Sequence, residues 1–253
     1  MIYICTVHFQ TKKWIKRQIY FIEKNLKMSY RILSCVPTGY INKAFYVASN
    51  YEPNSKISFN HADKLNYLAR IVSLEANPED IIIFLDGDAF PIAPIDDYIL
   101  EKLSTHKLIA VQRLENDGDM QPHPSFSATT VGFWNEINGD WNPGFTWKDK
   151  YNNDVTDTGG NLLEKLVEGQ IDWHPMIRTN KKNLHPLWFG VYDNMIYHHG
   201  AGYRSAVSRL DLNLHNKKES GFLASEQYRR NARLQHYMFM KIKYNQSFYR
   251  ELI

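Results

Sequence analysis

A run of five apolar residues that ends in two aspartates, IIIFLDGD at residues 81–88, limits the folds open to this chain. β-Branched and aromatic residues without polar alternation are typical of a strand that is covered on both faces of a sheet. Asp86 and Asp88 follow directly and are separated only by Gly87. The pattern predicts a central strand whose carboxyl end carries two carboxylates.

The segments around this strand alternate between strand and helix patterns. Strands are predicted at 2–9, 30–36, 81–86 and 107–112, and helices at 13–26, 61–76 and 95–103. Apolar residues recur at helical spacing in the first two helices, and Asn60 is placed to cap the second. Alternating helices and apolar strands predict an α/β fold with a mostly parallel sheet flanked by helices.

The second half of the chain has a different character. Beyond residue 112 turn-forming and polar residues are frequent, and five of the six tryptophans lie between residues 134 and 188. A helix is predicted at 160–168, a strand at 188–200 and a basic, aromatic helix from about 224. We therefore predict one domain over 1–253, made of an α/β half at 1–112, a loop-rich half at 113–223 and a C-terminal helix at 224–253.

Composition excludes some classes of protein. A net charge of +3 does not suggest nucleic-acid binding. No run approaches the roughly 18 apolar residues that span a bilayer, and the N-terminus reads as a first strand, not a signal peptide. Cys5 and Cys35 fall in predicted strands, which favours free thiols in a reducing compartment. We expect a cytoplasmic protein.

The paired carboxylates indicate a metal site. Two carboxylates one residue apart repel each other unless a cation neutralises them. Mg²⁺ or Mn²⁺ is the natural partner, because such ions prefer carboxylate oxygens together with substrate phosphates. Ligands of open α/β sheets bind beyond the carboxyl ends of strands, where Asp86 and Asp88 lie, and Gly87 permits close approach of the backbone. The alternative is a strand end whose aspartates only accept hydrogen bonds from backbone amides.

An apolar strand that ends in Asp-x-Asp, preceded by a helix with an early lysine, Lys64, resembles the GT-A fold glycosyltransferases. In that family the motif binds Mn²⁺ or Mg²⁺ against the diphosphate of a nucleotide-sugar. The resemblance implies a Rossmann-like GT-A domain in which 1–112 binds the nucleotide-sugar and 113–223 receives the acceptor and completes the metal site. It also implies that Asp86, Gly87 and Asp88 contact the donor and that the donor is UDP-linked.

A histidine pair late in the chain extends the resemblance. Many members of the family place a third metal ligand, a histidine, beside a glycine, and "IYHHGAGYR" at 196–204 is similar. His199 with Gly202 fits the His-x-x-Gly spacing of glycogenin-like members, and His198 with Gly200 fits a looser version. Because neighbouring residues on a strand face opposite ways, only one of the two would bind the metal. Which one is left open, as is a core role for either.

Further donor contacts come from the same resemblance. The end of the first strand, Thr6, Val7 and His8, is similar to the place where the family receives the nucleobase and ribose. Lys64 and Arg204 are candidates to stabilise charge on the departing phosphate oxygens. Both could instead be solvated surface charges.

The residues predicted to contact the acceptor are chosen for the chemistry of their side chains. A tryptophan ring can stack on the apolar face of a sugar, so Trp134 and Trp188 are candidate acceptor contacts, with packing in the core as the alternative. An inverting transferase needs a carboxylate base for the acceptor hydroxyl. Asp157 is the first hypothesis for that base and Asp154 the second, although Asp157 could simply cap the following helix. Whether the reaction inverts or retains configuration is left open.

The expected partners are a nucleotide-sugar donor and a glycan or lipid-linked glycan acceptor. The C-terminal helix interleaves arginines and lysines with aromatic residues, and its apolar residues recur at helical spacing. Packing on the domain is the favoured interpretation, and the alternatives are binding of an anionic or lipid-linked acceptor and peripheral contact with a membrane.

Two other functions compete. A haloacid-dehalogenase-type phosphatase also places Asp-x-Asp after an apolar strand, but there the motif lies near the N-terminus, and Phe90 stands here where a threonine is expected. A non-catalytic carbohydrate-binding protein on the same fold would bind a sugar without turnover. Metal-dependent hydrolysis of a nucleotide-sugar would separate a transferase from such a binding protein.

Overall fold

The structure is a computed structural model that describes residues 1–40, 42–51, 60–116, 118–181, 189–200 and 221–253, with side chains from residue 233 in the last range. The strands among these residues are β1 Ile2–Val7, β2 Tyr30–Pro37, β3 Phe45–Tyr51, β4 Ile81–Asp86, β5 Ala89–Pro91, β6 Leu108–Val111, β7 His123–Thr130, β8 Trp147–Lys148, β9 Asp154–Val155, β10 His174–Met176, β11 Gly190–Tyr192 and β12 Ile196–His198. The α-helices are α1 Ile15–Asn25, α2 His61–Glu75, α3 Asp96–Thr105, α4 Val131–Glu136, α5 Gly160–Glu168 and α6 Gly221–Tyr244, and a 3₁₀ helix spans Phe248–Glu251.

Seven strands form the main sheet, in the order β10-β6-β7-β4-β1-β2-β3. Strands β1 to β4 pair in parallel, and β7 runs antiparallel between β4 and β6. The predicted fold class, a mostly parallel sheet flanked by helices, is confirmed. Because β7 and β10 come from beyond residue 112, both predicted halves of the chain contribute to this one sheet.

Hydrophobic cores lie on both faces of the main sheet, as the unbroken apolar pattern of β4 predicts. On one face Ile83 packs in a cluster with residues of α1 and α3. On the other face Phe84 packs in a cluster with residues of α2, α4 and α5. Each large aliphatic or aromatic side chain buried in this way contributes about 1.5–3 kcal/mol of transfer free energy. β4 is therefore covered by a hydrophobic core on each face of the sheet.

A second, antiparallel sheet begins where the first one ends. After Asp86 the chain turns and continues as β5, which leaves the main sheet and pairs with β12 in the order β11-β12-β5. The single strand predicted at 188–200 is wrong, because β11 and β12 form a hairpin. Asp193 and Asn194 adopt φ values of 48° and 55° at its tip, and aspartate and asparagine tolerate this left-handed conformation better than most residues.

The C-terminal helix packs on this second sheet. Met238 and Ile242 of α6 are buried in a third cluster, together with Phe90 of β5 and Tyr197 of β12. Trp14, just before α1, joins the same cluster and meets Phe239 of α6 edge to face at 5.1 Å. The favoured prediction of packing on the domain is confirmed for the part of α6 whose side chains are described.

Two smaller expectations concern cysteines and membrane spans. Cys5 and Cys35 are buried free thiols, as predicted. Within the ranges that the structure describes, every helix is too short or too polar to span a lipid bilayer.

Candidate metal centre and active site

The turn between β4 and β5 lies directly against the end of β1. The backbone N–H of Gly87 donates to the carbonyl of Val7 at 3.1 Å. A Cβ atom at position 87 would lie 2.6 Å from that carbonyl oxygen and 2.9 Å from Cα of His8. Since both are backbone atoms of a central strand, a side chain at position 87 would push the turn out of place. The glycine therefore permits the close approach that places Asp86 and Asp88 where they are.

Asp86, Asp88 and His198 converge at this turn, as the Asp-x-Asp motif and the histidine pair predict. One ligand atom from each lies within 4.8 Å of the others. Nε2 of His198 is 3.5 Å from Oδ2 of Asp86 and 3.4 Å from Oδ1 of Asp88. Octahedral ions with bonds of about 2.1 Å separate adjacent ligand atoms by about 3 Å and opposite ones by about 4.2 Å. Two carboxylate oxygens and an imidazole nitrogen at these spacings fit a divalent cation.

The electrostatics of His198 show that the turn attracts positive charge. Burial lowers the pKa of His198, but the carboxylates of Asp88 and Asp86 together outweigh burial and raise that pKa above its ordinary value. The negative charge of the turn thus favours a cation beside it, either the imidazolium of His198 or a metal ion bound by neutral His198.

His199 faces away from the carboxylates, into the third hydrophobic cluster. Its ring lies 4.4 Å from the ring of Trp14, and its Nδ1 hydrogen-bonds the hydroxyl of Tyr197 at 2.9 Å. Burial lowers its pKa to about 3. Its backbone N–H donates to the carbonyl of Asp88 at 3.1 Å. Of the two candidate histidines, the structure therefore brings His198 to the aspartates, and His199 contributes a backbone contact.

His61, which was not predicted as a site residue, contacts the oxygen of Asp86 that does not face His198. It is the first residue of α2, which begins with a capping box between Asn60 and Asp63, so the predicted cap is confirmed. Nε2 of His61 lies 2.8 Å from Oδ1 of Asp86. The other oxygen of Asp86 faces His198. His61 therefore fixes the orientation of the carboxylate, as outer partners of metal ligands do.

A buried charge network extends from His198 toward the second half of the chain. The ring of His123 lies 5.9 Å from that of His198. Burial lowers the pKa of His123 well below its ordinary value, and the charge of Arg113 lowers it further. The guanidinium of Arg113 pairs with Asp119 at 2.7 Å and with Asp157 at 3.0 Å. Neither His123 nor Arg113 was predicted as a site residue.

The two candidate bases have different surroundings. Asp157 does not cap α5, because Gly159 is the N-cap residue and makes no side-chain cap bond. The Asp157 carboxylate accepts from the N–H of Thr158 at 2.8 Å and remains 51% exposed beside Arg113. Asp154 lies in the exposed β8–β9 hairpin and pairs with Lys148 at 2.9 Å. The capping alternative for Asp157 is thereby removed, and both roles as base stay predictions.

The residues predicted to receive the nucleoside lie at the end of β1 and are buried. Thr6, Val7 and His8 are 0%, 1% and 1% exposed. The hydroxyl of Thr6 donates to Gln18 at 3.0 Å. Neither ring nitrogen of His8 has a hydrogen-bond partner among the described residues, and burial lowers its pKa to about 3. His8 is thus a neutral, polar ring beside the turn.

Lys64 lies close to these residues, on the first turns of α2. Its ammonium is 4.5 Å from the centre of the Tyr51 ring and 5.4 Å from that of Phe9. The hydroxyl of Tyr51 donates to the carbonyl of His8 at 2.6 Å. Lys64, Tyr51 and Phe9 therefore lie near the end of β1, which the Asp86–Asp88 turn also contacts. Arg204, the other predicted phosphate contact, lies outside the described residues.

Of the two predicted acceptor contacts, one is buried in the core and the other lies outside the described residues. Trp134 is 4% exposed, and its ring packs at 4.6 Å from Phe84 and 5.8 Å from Trp141 in the core of the main sheet. This is the packing that the sequence analysis gave as the alternative, and an acceptor role for Trp134 stays a prediction. Trp188 lies outside the described residues.

Three solved structures are among those similar to this chain. No protein-family model and no curated protein sequence matches the chain. The galactosyltransferase LgtC, in complex with donor and acceptor sugar analogs, is 9% identical over 68% of this chain and 73% of its own, with a TM-score of 0.39. Glucosyl-3-phosphoglycerate synthase from Mycobacterium tuberculosis, with Mg²⁺ and uridine-diphosphate, is 14% identical over 70% and 69%, with a TM-score of 0.42. S. aureus TarS 1-349 is 9% identical over 95% and 72%, with a TM-score of 0.46.

Proposed function

We propose that this chain is a metal-dependent glycosyltransferase, which moves a sugar from a nucleotide-diphosphate sugar to a hydroxyl group of a glycan acceptor. The observation that carries the proposal is the convergence of Asp86, Asp88 and His198 at the carboxyl end of a central strand. This is the edge where α/β proteins bind phosphate-containing ligands. The resemblance of the sequence to GT-A enzymes supports a UDP-sugar as the donor and Mn²⁺ or Mg²⁺ as the ion.

Asp86, Asp88 and His198 would hold the divalent ion. When bound, such an ion supplies positive charge that stabilises the departing diphosphate. Lys64 would add a charge-assisted hydrogen bond to a phosphate oxygen. The geometry of the turn is fixed by its contacts with β1 and β12, so the two carboxylates need little rearrangement to bind.

Asp157 is the proposed base for an inverting transfer. The acceptor oxygen forms a bond to the anomeric carbon while the bond from that carbon to the diphosphate oxygen breaks. The hydroxyl proton passes to the carboxylate of Asp157, and the nucleoside diphosphate leaves with the bonding electrons. The exposure of this carboxylate and its tie to Arg113, whose charge also acts on His198, support its place on the acceptor side of the site.

A lipid-linked acceptor, reached at a membrane surface, is a further part of the proposal. Tyr237 and Tyr244 of α6 are 55% and 72% exposed, and the ammonium of Lys243 lies 4.8 Å from the centre of the Tyr244 ring. Aromatic and basic residues on the exposed face of a helix suit contact with anionic lipid. Flotation with vesicles that contain anionic lipid, compared with vesicles of neutral lipid, tests this part separately from the chemistry.

A thermal-shift screen of nucleotide-sugars, each with and without Mn²⁺, tests the central proposal. Ligand binding raises the apparent unfolding temperature by mass action. We expect one nucleotide-sugar to stabilise the wild type only with Mn²⁺, and Asp88→Asn to lose this effect. Asp172→Asn is the matched control, because that carboxylate is 93% exposed and should keep the wild-type response. No stabilisation of the wild type by any nucleotide-sugar with Mn²⁺ would overturn the proposal.

A second assay separates the competing functions. A transferase is expected to hydrolyse its donor slowly in the presence of metal, whereas a carbohydrate-binding protein would bind without turnover. Release of phosphate from a simple phosphomonoester, without hydrolysis of any nucleotide-sugar, would instead indicate the phosphatase.

A further inference from the structure

Gln18 is a polar residue on the buried face of α1. It lies between Ile15, Ile19 and Ile22, the apolar residues of that face, and it is only 1% exposed. Burying an amide is costly unless its donors and acceptor have partners. The partners of Gln18 are therefore informative about why a glutamine is present.

The two donors of the Gln18 amide reach both ends of the metal turn. Nε2 donates to the carbonyl of Asp86 at 2.7 Å and to the carbonyl of Ala89 at 2.8 Å. These two residues flank Gly87 and Asp88, so a single side chain spans the turn from the end of β4 to the start of β5. The bonds are formed with backbone carbonyls, which leaves the carboxylates of Asp86 and Asp88 directed elsewhere.

The acceptor of the same amide is also occupied. Oε1 of Gln18 accepts from the hydroxyl of Thr6 on β1 at 3.0 Å. The two backbone carbonyls fix which end of the amide points at the turn, because the opposite rotamer would place Oε1 against them, and the Thr6 hydroxyl satisfies the remaining acceptor. Thr6, predicted as a nucleoside contact, thus has a buried supporting position behind the turn.

We propose that Gln18 is a positioning residue for the metal site, and that it sets the separation of Asp86 and Asp88 by bridging the backbone carbonyls of Asp86 and Ala89 at the two ends of the turn. This inference rests on the proposed function, because it concerns the metal affinity of the same site. Without the bridge, the turn would sample wider separations of the two carboxylates. The binding of an ion would then have to restrict the turn to one conformation, and this loss of conformational entropy would weaken the affinity for the ion.

Titration of Mn²⁺ without nucleotide, followed by the electron paramagnetic resonance signal of the free ion, tests this inference. The variant is Gln18→Met, which keeps the length of the side chain and removes its hydrogen bonds. We expect the Kd for Mn²⁺ to rise about 10- to 100-fold, the range found when an outer partner of a metal site is removed.

Asn25→Leu is the matched control. Asn25 lies on the same helix, is 4% exposed, and donates from Nδ2 to the carbonyl of Pro91 at 2.8 Å, at the end of β5 away from the metal turn. This variant loses a comparable buried bond, so we expect a similar loss of thermal stability but a Kd within about 3-fold of wild type, a change smaller than that for an outer partner of the metal. Circular dichroism at the titration temperature establishes that each variant is folded.

The outcomes are distinct. A wild-type Kd for Gln18→Met, or an equal weakening by Asn25→Leu, would overturn the role of Gln18. Absence of Mn²⁺ binding by the wild type would overturn the proposed function itself. If Gln18→Met does not fold, Gln18→Asn decides the question: it keeps a polar amide but is one methylene too short to reach both carbonyls, and an unchanged Kd in that variant would contradict the inference.

Discussion

Two pairs of aspartates carry the proposed chemistry, and the structure holds them in different ways. Asp86 and Asp88 lie in a turn whose backbone is bonded to β1, α1 and β12. Asp154 and Asp157 lie before α5, largely exposed, and their carboxylates pair with the side chains of Lys148 and Arg113. A metal ion demands fixed ligand distances, whereas an acceptor must enter and leave. If the proposed function holds, the contrast predicts a rigid donor side and an adaptable acceptor side.

The largest expected effect is a loss of turnover without a loss of metal affinity, from a substitution in the second pair of aspartates. Asp157→Asn should lower kcat by about 100- to 10,000-fold, the contribution of a general base. The Kd for Mn²⁺ should remain unchanged, because Asp157 is not a ligand. Asp119→Asn is the control, since Asp119 pairs with the same Arg113 and offers no base to the acceptor. Equal losses in both variants would mean that Asp157 only balances the charge of Arg113.

The next effect separates the two neighbouring histidines. His198→Gln should weaken Mn²⁺ binding by about 100-fold or more, because loss of a direct ligand costs at least as much as loss of an outer partner. His199→Phe should keep the affinity, since an aromatic ring still packs against Trp14. Isothermal titration of both variants with Mn²⁺ makes the comparison. The assignment of His198 would fail if His199→Phe were the weaker binder.

A smaller effect measures how tightly the donor side is packed. Gly87→Ala places a methyl group against the backbone of β1 at Val7 and His8. Overpacking of this kind costs about 1–3 kcal/mol in the free energy of unfolding. Urea denaturation gives that loss, and Mn²⁺ titration of the same variant should show weaker binding. Stability and affinity equal to wild type would show that the turn adapts more easily than its contacts indicate.

The smallest effect depends on pH and concerns Asp140, whose carboxylate accepts hydrogen bonds from Asn66 of α2 and Asn161 of α5. Burial raises the pKa of Asp140, but hydrogen bonds from Asn142, Asn161 and Asn66 outweigh it and lower the pKa below its ordinary value. A lowered folded-state pKa contributes stability above about pH 4, and this contribution is lost as the pH falls through the folded-state value. Asp140→Asn should therefore destabilise the protein by about 1 kcal/mol at pH 7, and by less at pH 3. A pH-independent difference in urea denaturation would contradict this account.

Local signals in the sequence were sufficient for the elements near the donor side. The apolar run of β4 and the cap of α2 are encoded within a few residues, and both predictions were confirmed. Strands β3 and β7 were missed for physical reasons. β3 is an edge strand with alternating exposed residues, and β7 (HPSFSATT) lacks an apolar run because serine and threonine side chains occupy buried positions between β4 and β6.

The site shows the same division between local and distant information. The Asp-Gly-Asp turn is visible in the sequence, but the choice of His198 over His199 depends on the register of β12 against β5, more than 100 residues away. His61 and Gln18 were missed because a polar residue on a helix has many possible uses. A signal existed for Gln18, which interrupts the apolar stripe of α1 between Ile15 and Ile22.

The proposed metal ligands come from two different sheets. Asp86 ends a strand of the seven-stranded sheet, and His198 ends a strand of the three-stranded sheet. A bound ion would act as a cross-link between the two layers, much as a disulfide joins distant segments. Removal of the ion by a chelator should then loosen the contact between the two sheets as well as stop turnover. During refolding, tight binding of manganese should appear only after the two sheets have docked.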